Sequence, residues 1–147
     1  PRQFTIEFRE EKSKGKSRVR LYKDGIQCGD SLTDNAHYED GYRFHDVFHL
    51  AYVAVLCWSP VSRKILNCKR RQNSTIDEVE DGGRAAVIEE SVSALAFQYA
   101  EKHNMLDSVG RVDAMLQGFK VFRLLTRHGG GLVDVDLQKR TLNFRKQ

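Results

Sequence analysis

The sequence predicts an α+β fold, in which a core of three to four helices packs on a small antiparallel sheet made by an N-terminal and a C-terminal hairpin. Three observations predict it. Apolar and polar residues alternate near both ends of the chain, the period of a half-buried strand. The middle of the chain repeats apolar residues every three or four positions, the period of a helix. An isolated hairpin is marginal in water, so the two terminal hairpins are expected to share one sheet.

The elements follow in order. Phe4, Ile6 and Phe8 alternate with Thr5, Glu7 and Arg9, and Val19 and Leu21 alternate with Arg18, Arg20 and Tyr22. Between these strands Glu10 to Ser17 is charged and reads as a solvated loop. Asp24-Gly25 is a hairpin turn signal that predicts a short third strand from Ile26 to Cys28. Gly29 to Tyr42 is rich in Asp, Asn, Ser and Gly and reads as an irregular loop or a lid over a site.

Arg43 to Cys57 is helical in pattern, with Val47, Phe48, Ala51 and Val55 on one stripe. Ser59-Pro60 has the chemistry of an N-cap and first helical position, and predicts a short helix to Arg71 with a basic outer face. Gln72 to Gly83 reads as a polar loop, acidic at its end. Arg84 to His103 is a second buried helix, with Ala85, Ile88, Val92, Leu95, Ala96 and Tyr99 as its core stripe. A third long helix is predicted from Asp107-Ser108 to about Arg127, with Val112, Met115, Leu116, Phe119 and Phe122 facing in. Gly129-Gly130-Gly131 ends it. Val133, Val135 and Leu137, a turn, then Leu142 and Phe144 form the last hairpin.

At 147 residues, 40% of them hydrophobic and 30% charged, the chain reads as one globular domain over residues 1–147. It starts without methionine and is expected to be a processed product or a piece of a longer protein. The net charge of +4 is compatible with nucleotides or nucleic acid as partners. The longest charge-free apolar run, Val47 to Pro60, is too short and interrupted to span a bilayer, so no membrane partner is expected. Three cysteines, an odd count without C-x-x-C spacing, argue against a disulfide framework and for a reducing, cytoplasmic setting. Cys57 lies in an apolar run and reads as a small buried hydrophobe.

The candidate chemistry lies where two helices meet. His45 and His49 are four residues apart and Asp46 and His49 three apart, so all three share a helix face and could hold one metal ion. Glu89 and Glu90 stand before a ten-residue stretch without charge, Ser91 to Ala100. A carboxylate there is costly unless it is paired, bound to metal or faces a wet cleft. Adjacent residues lie about 100° apart on a helix, so one of the two is expected to face the site. Arg84, a cation at a helix start, opposes the helix dipole and is a candidate for neutralising carboxylates or holding an anionic ligand. Lys64 and Arg43 are further candidates for binding substrate phosphate. The rival reading makes His45, His49 and Glu89 a buried polar network in a non-catalytic domain. A third reading uses the basic run Arg63 to Arg71 for RNA or DNA, although aromatic interleaving for base stacking is absent there.

The segment DNAHYEDGYRFHDVFHLAYVAVLCWSP and the later IDEVEDGGRAAVIEESVSALAFQYA together resemble the C-terminal domain of MazG-like nucleotide pyrophosphohydrolase proteins. The resemblance extends to the Leu116-Gln117-Gly118-Phe119 helix and the final hairpin. It implies a divalent metal held by carboxylates from two helices and hydrolysis of a nucleoside triphosphate to the monophosphate and pyrophosphate. The pyrophosphohydrolase pattern asks for E-x-x-E on one helix and E-x-x-D on the next. Here E-x-x-D occurs at Glu78 to Asp81, in the expected loop, and E-x-x-E at Glu7 to Glu10, on a strand. The predicted helices instead carry His45, Asp46, His49, Glu89 and Glu90. These five are therefore the expected catalytic and metal-binding set. Mg²⁺ or Mn²⁺ is the expected cofactor, with Fe²⁺ or Zn²⁺ brought in by the two imidazoles. A homo-oligomer, or a fused or associated pyrophosphohydrolase domain, is the expected assembly, and a dimerisation or regulatory role beside that enzyme is the alternative function.

Overall fold

A computed structural model describes residues 2–68, 73–106 and 114–147. Five strands, β1 (Gln3–Ser13), β2 (Lys16–Lys23), β3 (Ile26–Leu32), β4 (Gly130–Asp136) and β5 (Thr141–Arg145), form one antiparallel sheet in the order β3-β2-β1-β4-β5. The two ends of the chain meet where β1 pairs with β4, Phe4 opposite Val135 and Ile6 opposite Val133. Both terminal hairpins therefore belong to one sheet, and the α+β architecture is as the alternation requires. Alternation assigns the faces. Ile6, Phe8, Val19, Leu21, Val133, Val135 and Leu142 are buried on one side. On the other, Thr5 donates to Asp134, which also accepts from Arg145.

Among the described residues five α-helices lie between β3 and β4 in sequence: α1 (Asp46–Leu56), α2 (Pro60–Ile65), α3 (Ser74–Asp81), α4 (Gly83–Glu101) and α5 (Ala114–His128). Nine of the eleven residues of α1 are buried. It packs with α5 against β4 and β5, and Phe48 meets Phe119 and Phe122 at ring-centroid distances of 4.5 and 5.3 Å. Gly118 makes that approach possible, since a Cβ there would stand 3.1 Å from the Phe48 ring and 3.2 Å from Ala51 Cβ. No helix among the described residues is long and apolar enough to cross a membrane.

Several expectations need correction. The charged stretch Glu10 to Ser17 is mostly strand, closed by a tight turn at Lys14 and Gly15, both at positive φ. Strand β3 runs on to Leu32, four residues past the expected end. The acidic segment expected as a loop is helix α3, capped by Asn73, whose side chain accepts from the Thr75 and Ile76 amides. It therefore places Glu78 and Asp81 on a helix. Helix α2 ends at Ile65 rather than Arg71. Lys69, Arg70, Arg71, Val112 and the start expected at Asp107-Ser108 lie outside the described residues. Cys57 is exposed, in the left-handed position that ends α1.

The largest correction concerns the face of α4. Ile88, Val92, Leu95 and Tyr99, expected in the core, are all at least half exposed. The buried stripe is Glu89, Ser93, Phe97 and Ala100. Helix α4 is apolar nearly all round from Ser91 on, so periodicity could not choose the side. The polar start of the helix chose it. Glu89 and Ser93 are drawn inward by partners on α1 and α2, and the apolar residues opposite turn outward.

Two substitutions separate these orientations. Phe97→Ala is expected to destabilise the chain by about 3–5 kcal/mol, as a large aromatic leaves the core. Leu95→Ala, 66% exposed, is expected to stay within about 0.5 kcal/mol of the unaltered chain. Urea denaturation of both variants is the measurement, and a Leu95 cost equal to that of Phe97 would contradict the orientation.

Candidate metal centre

The first turn of α1 and the middle of α4 bring five of the expected residues together. Their placement begins at Asp34, in the segment between β3 and α1. Its carboxylate accepts the backbone amides of Asp40 and Arg43. The Arg43 guanidinium in turn binds Asp34 and Glu10 on β1. Arg43 thus pins the segment to the sheet, and it does not line the cleft described below. From this anchor a 3-10 turn at Tyr42–Phe44 runs into α1. The Tyr42 ring stacks on His45 at 4.3 Å, backed by Phe97 at 5.0 Å.

Both histidines are oriented through Nδ1. His45 Nδ1 lies 2.8 Å from the Tyr42 carbonyl, which only accepts, so this nitrogen carries the proton. His49 Nδ1 lies 2.8 Å from Glu89 Oε1. Glu89 is 2% exposed and also accepts the Ser59 hydroxyl and the Val61 amide. Ser59 is the N-cap of α2 and accepts the Ser62 amide in the same arrangement. A buried carboxylate with this many donors is held as an acceptor, and His49 donates to it. The Nε2 atoms of both rings are left facing one space.

That space is rich in carboxylate. Glu90 Oε2 lies 3.3 Å from His49 Nε2 and 3.8 Å from His45 Nε2. Asp46 Oδ1 lies 3.5 Å from His45 Nε2 and 4.0 Å from His49 Nε2. One ligand atom from each of His45, His49 and Glu90 falls within 4.8 Å of the others. His49 has no solvent exposure, yet among the described residues its Nε2 makes no hydrogen bond and has Glu90 Oε2, 3.3 Å away, as its nearest charged contact. An orphaned buried nitrogen beside two carboxylates suits a divalent cation. The Nδ1–H groups tied to a carbonyl and a carboxylate are the usual support for imidazole ligands. As the helix geometry requires, only one of the adjacent glutamates, Glu90, faces the space between the Nε2 atoms. Glu89 contacts the same His49 ring from behind, through Nδ1.

The electrostatics match the geometry. Burial opposes charge on His49, but its hydrogen bond to Glu89 and the nearby Glu90 and Asp46 carboxylates push its pKa up to about 9. The His49 contact lowers Glu90. Burial pushes the Asp46 carboxyl up, against the pull of His45 and His49. Without a cation, a proton on His49 Nε2 balances this cluster.

The cluster forms part of the wall of an open cleft of about 710 Å³, which His45, Asp46 and Glu90 share with Asp30, Lys64 and Gly83. Lys64 comes from α2 and Gly83 is the first residue of α4. Arg84 is exposed and makes no ion pair among the described residues. Sequence reading missed two members. Ser59 was read only as a cap. Asp30 was read as part of a loop, although a Gly-Asp pair beyond a predicted strand was the available hint.

Glu89→Gln tests how the site is supported. The amide keeps the shape but turns an NH₂ group toward donors. Metal affinity is expected to fall about 10–100-fold, with a lower melting temperature and a changed His49 tautomer pattern in imidazole ¹⁵N NMR. Unchanged affinity in a folded variant would contradict the positioning role of Glu89.

Neither the curated proteins nor the solved structures contain a match to this chain. One family model does match, that of the MazG C-terminal domain, over residues 1–116. The match takes in β1 to α4 and every residue of the candidate metal centre, and the chain belongs to the MazG C-terminal domain family.

Proposed function

We propose that this chain is a divalent-metal-dependent hydrolase domain that cleaves a phosphoryl bond of a nucleoside triphosphate, releasing pyrophosphate. The observation that carries the reading is the convergence of His45 Nε2, His49 Nε2, Glu90 Oε2 and Asp46 Oδ1 beside an open cleft. His45, His49 and Glu90 would hold the cation, with Asp46 beside them. Two imidazoles favour Mn²⁺, Fe²⁺ or Zn²⁺ over Mg²⁺. When bound, such a cation polarises a phosphoryl oxygen and lowers the pKa of water. Asp46, with its carboxyl pushed up by burial, is suited to take a proton from an attacking water. Lys64 and the first turn of α4 face the same cleft and suit the phosphate chain of a nucleotide. Arg84, one residue past Gly83, is the second candidate for that role.

The experiment measures pyrophosphate release from a panel of NTPs and dNTPs with Mg²⁺, Mn²⁺ or Zn²⁺ supplied separately. Release is expected with a transition metal, and Asp46→Asn and His49→Ala are expected to lower it by about 10²-fold or more. No release under any condition, or release that both variants retain, would overturn the reading. The pH dependence has a definite sign. The folded-state pKa of His49 is raised from the ordinary 6.5 to about 9. In the metal-free protein its ion-pair contribution is complete below pH 6.5 and is lost as pH rises through 9. Proton and cation compete for Nε2, so the rise in melting temperature produced by Mn²⁺ is expected to be larger at pH 8 than at pH 6.

A second reading is carried by α4. Ala85, Ile88, Val92, Leu95 and Tyr99 follow the alternating three- and four-residue spacing of a coiled-coil seam, and the last four are exposed. This stripe suits association with the pyrophosphohydrolase domain that a MazG C-terminal domain accompanies. Mixing the chain with that domain and measuring complex mass by light scattering tests it. A complex that Val92→Asp and Leu95→Asp abolish is expected, and one that survives both would contradict it.

A further inference from the structure

Helix α2 stands between two hollows. Val61, Lys64 and Ile65, spaced three and four apart, line the cleft described above. Ser62, Arg63 and, at the end of the helix, Leu66 line a separate cavity of about 390 Å³. A turn of about 100° per residue puts these two sets on opposite sides of the helix. Phe4 on β1, Val53 on α1 and Leu137 just past β4 extend the cavity wall. A largely apolar hollow of this size with few polar groups is the usual form of a small-molecule site.

Ser62 is the unusual member of that wall. It is 1% exposed, and its hydroxyl has no hydrogen-bond partner among the described residues. A serine in a helix can give its hydroxyl to the carbonyl one turn back, as Ser91 gives to Val87 and Ser93 to Glu89. Ser62 does not, and a buried hydroxyl left unpaired is costly. Such a group calls for a water, an ion or a ligand as its partner. The cavity is far larger than the share of one water, about 30 Å³, and its apolar walls hold water poorly. The charged residue on the wall, Arg63, has its Nε 3.3 Å from Asp81 Oδ2, so its charge is matched within the fold and gives an ion little hold. What the cavity offers is apolar surface and one hydroxyl.

We propose that the cavity behind α2 is a binding site for a small neutral organic molecule, with an apolar body against Phe4, Val53, Leu66 and Leu137 and one hydrogen-bonding group on Ser62 Oγ. The inference stands apart from the metal-dependent reading, since the cavity shares no lining residue with the cleft. Its occupant nonetheless bears on the support of the His45–His49 cluster. The Ser62 amide donates to Ser59 Oγ, and the Ser59 hydroxyl donates to Glu89. The molecule therefore rests on the same helical turn that holds the Glu89 carboxylate in place.

The test uses phenol and toluene, which share nearly the same shape and differ by a hydroxyl, titrated into the whole chain and followed by methyl NMR. Saturable shifts are expected from both probes at Val53, Leu66 and Leu137. Ser62→Ala removes a hydroxyl that has no partner among the described residues, so circular dichroism is expected to report an intact fold. This variant is expected to bind phenol at least about fivefold more weakly and toluene within about twofold of the unaltered chain, as the loss of one hydrogen bond requires. Absence of shifts, or shifts spread over the surface rather than gathered at these three residues, overturns the site. Equal phenol affinity in the two proteins, which would leave the Ser62 hydroxyl to a bound water, also overturns it, as does an equal loss of affinity for both probes.

Discussion

The Glu89 carboxylate is the contact on which the site depends. A buried negative charge is tolerated only when donors surround it, and this one has three: His49 Nδ1, the Ser59 hydroxyl and the Val61 amide. Each comes from a different part of the chain, α1, the α2 cap and the first turn of α2. Glu89 itself is on α4, so one side chain ties three helices. Two functional consequences follow from this structural need. His49 is forced to present Nε2 to Glu90 and Asp46, and α2 is fixed where its Lys64 lines the cleft that those two carboxylates also line.

Much of this was legible in the sequence, for physical reasons that can be named. Alternation at Phe4-Ile6-Phe8 and Val133-Val135 fixed which face of the sheet is buried, because a one-residue slip would expose it. Ser59-Pro60 marked a helix start because a hydroxyl followed by a residue without an amide proton suits no other place so well. The i, i+4 histidines pointed to a shared face. The face of α4 was not legible, since an almost uniformly apolar helix carries no directional signal. The information lay in Glu89 and Ser93, polar residues that turn inward because His49, Ser59 and Tyr52 wait for them. Helix α3 was hidden by its acidic composition, although Asn73 ahead of Thr75 and Ile76 was a readable cap. The bulge between β2 and β3 that delivers Asp30 to the cleft depends on pairing between strands, which local sequence does not encode.

Helix α4 has two opposite duties. One side supplies Glu89 and Glu90 to the His45–His49 cluster and Phe97 to the core. The other presents Ile88, Val92, Leu95 and Tyr99 to the outside. The catalytic and association readings are therefore not rivals for the same residues. A surface that covers the outer stripe bears on the same helix that holds two of the site's carboxylates.

The central claim is that the two Nε2 atoms and their carboxylates hold a cation. Anomalous diffraction from crystals soaked in Mn²⁺ or Zn²⁺ tests it most directly. The account requires a peak bounded by His45 Nε2, His49 Nε2 and a Glu90 oxygen, at about 2.0–2.3 Å from each. A soaked crystal with no peak there, and with His49 Nε2 still facing Glu90 alone, would contradict it.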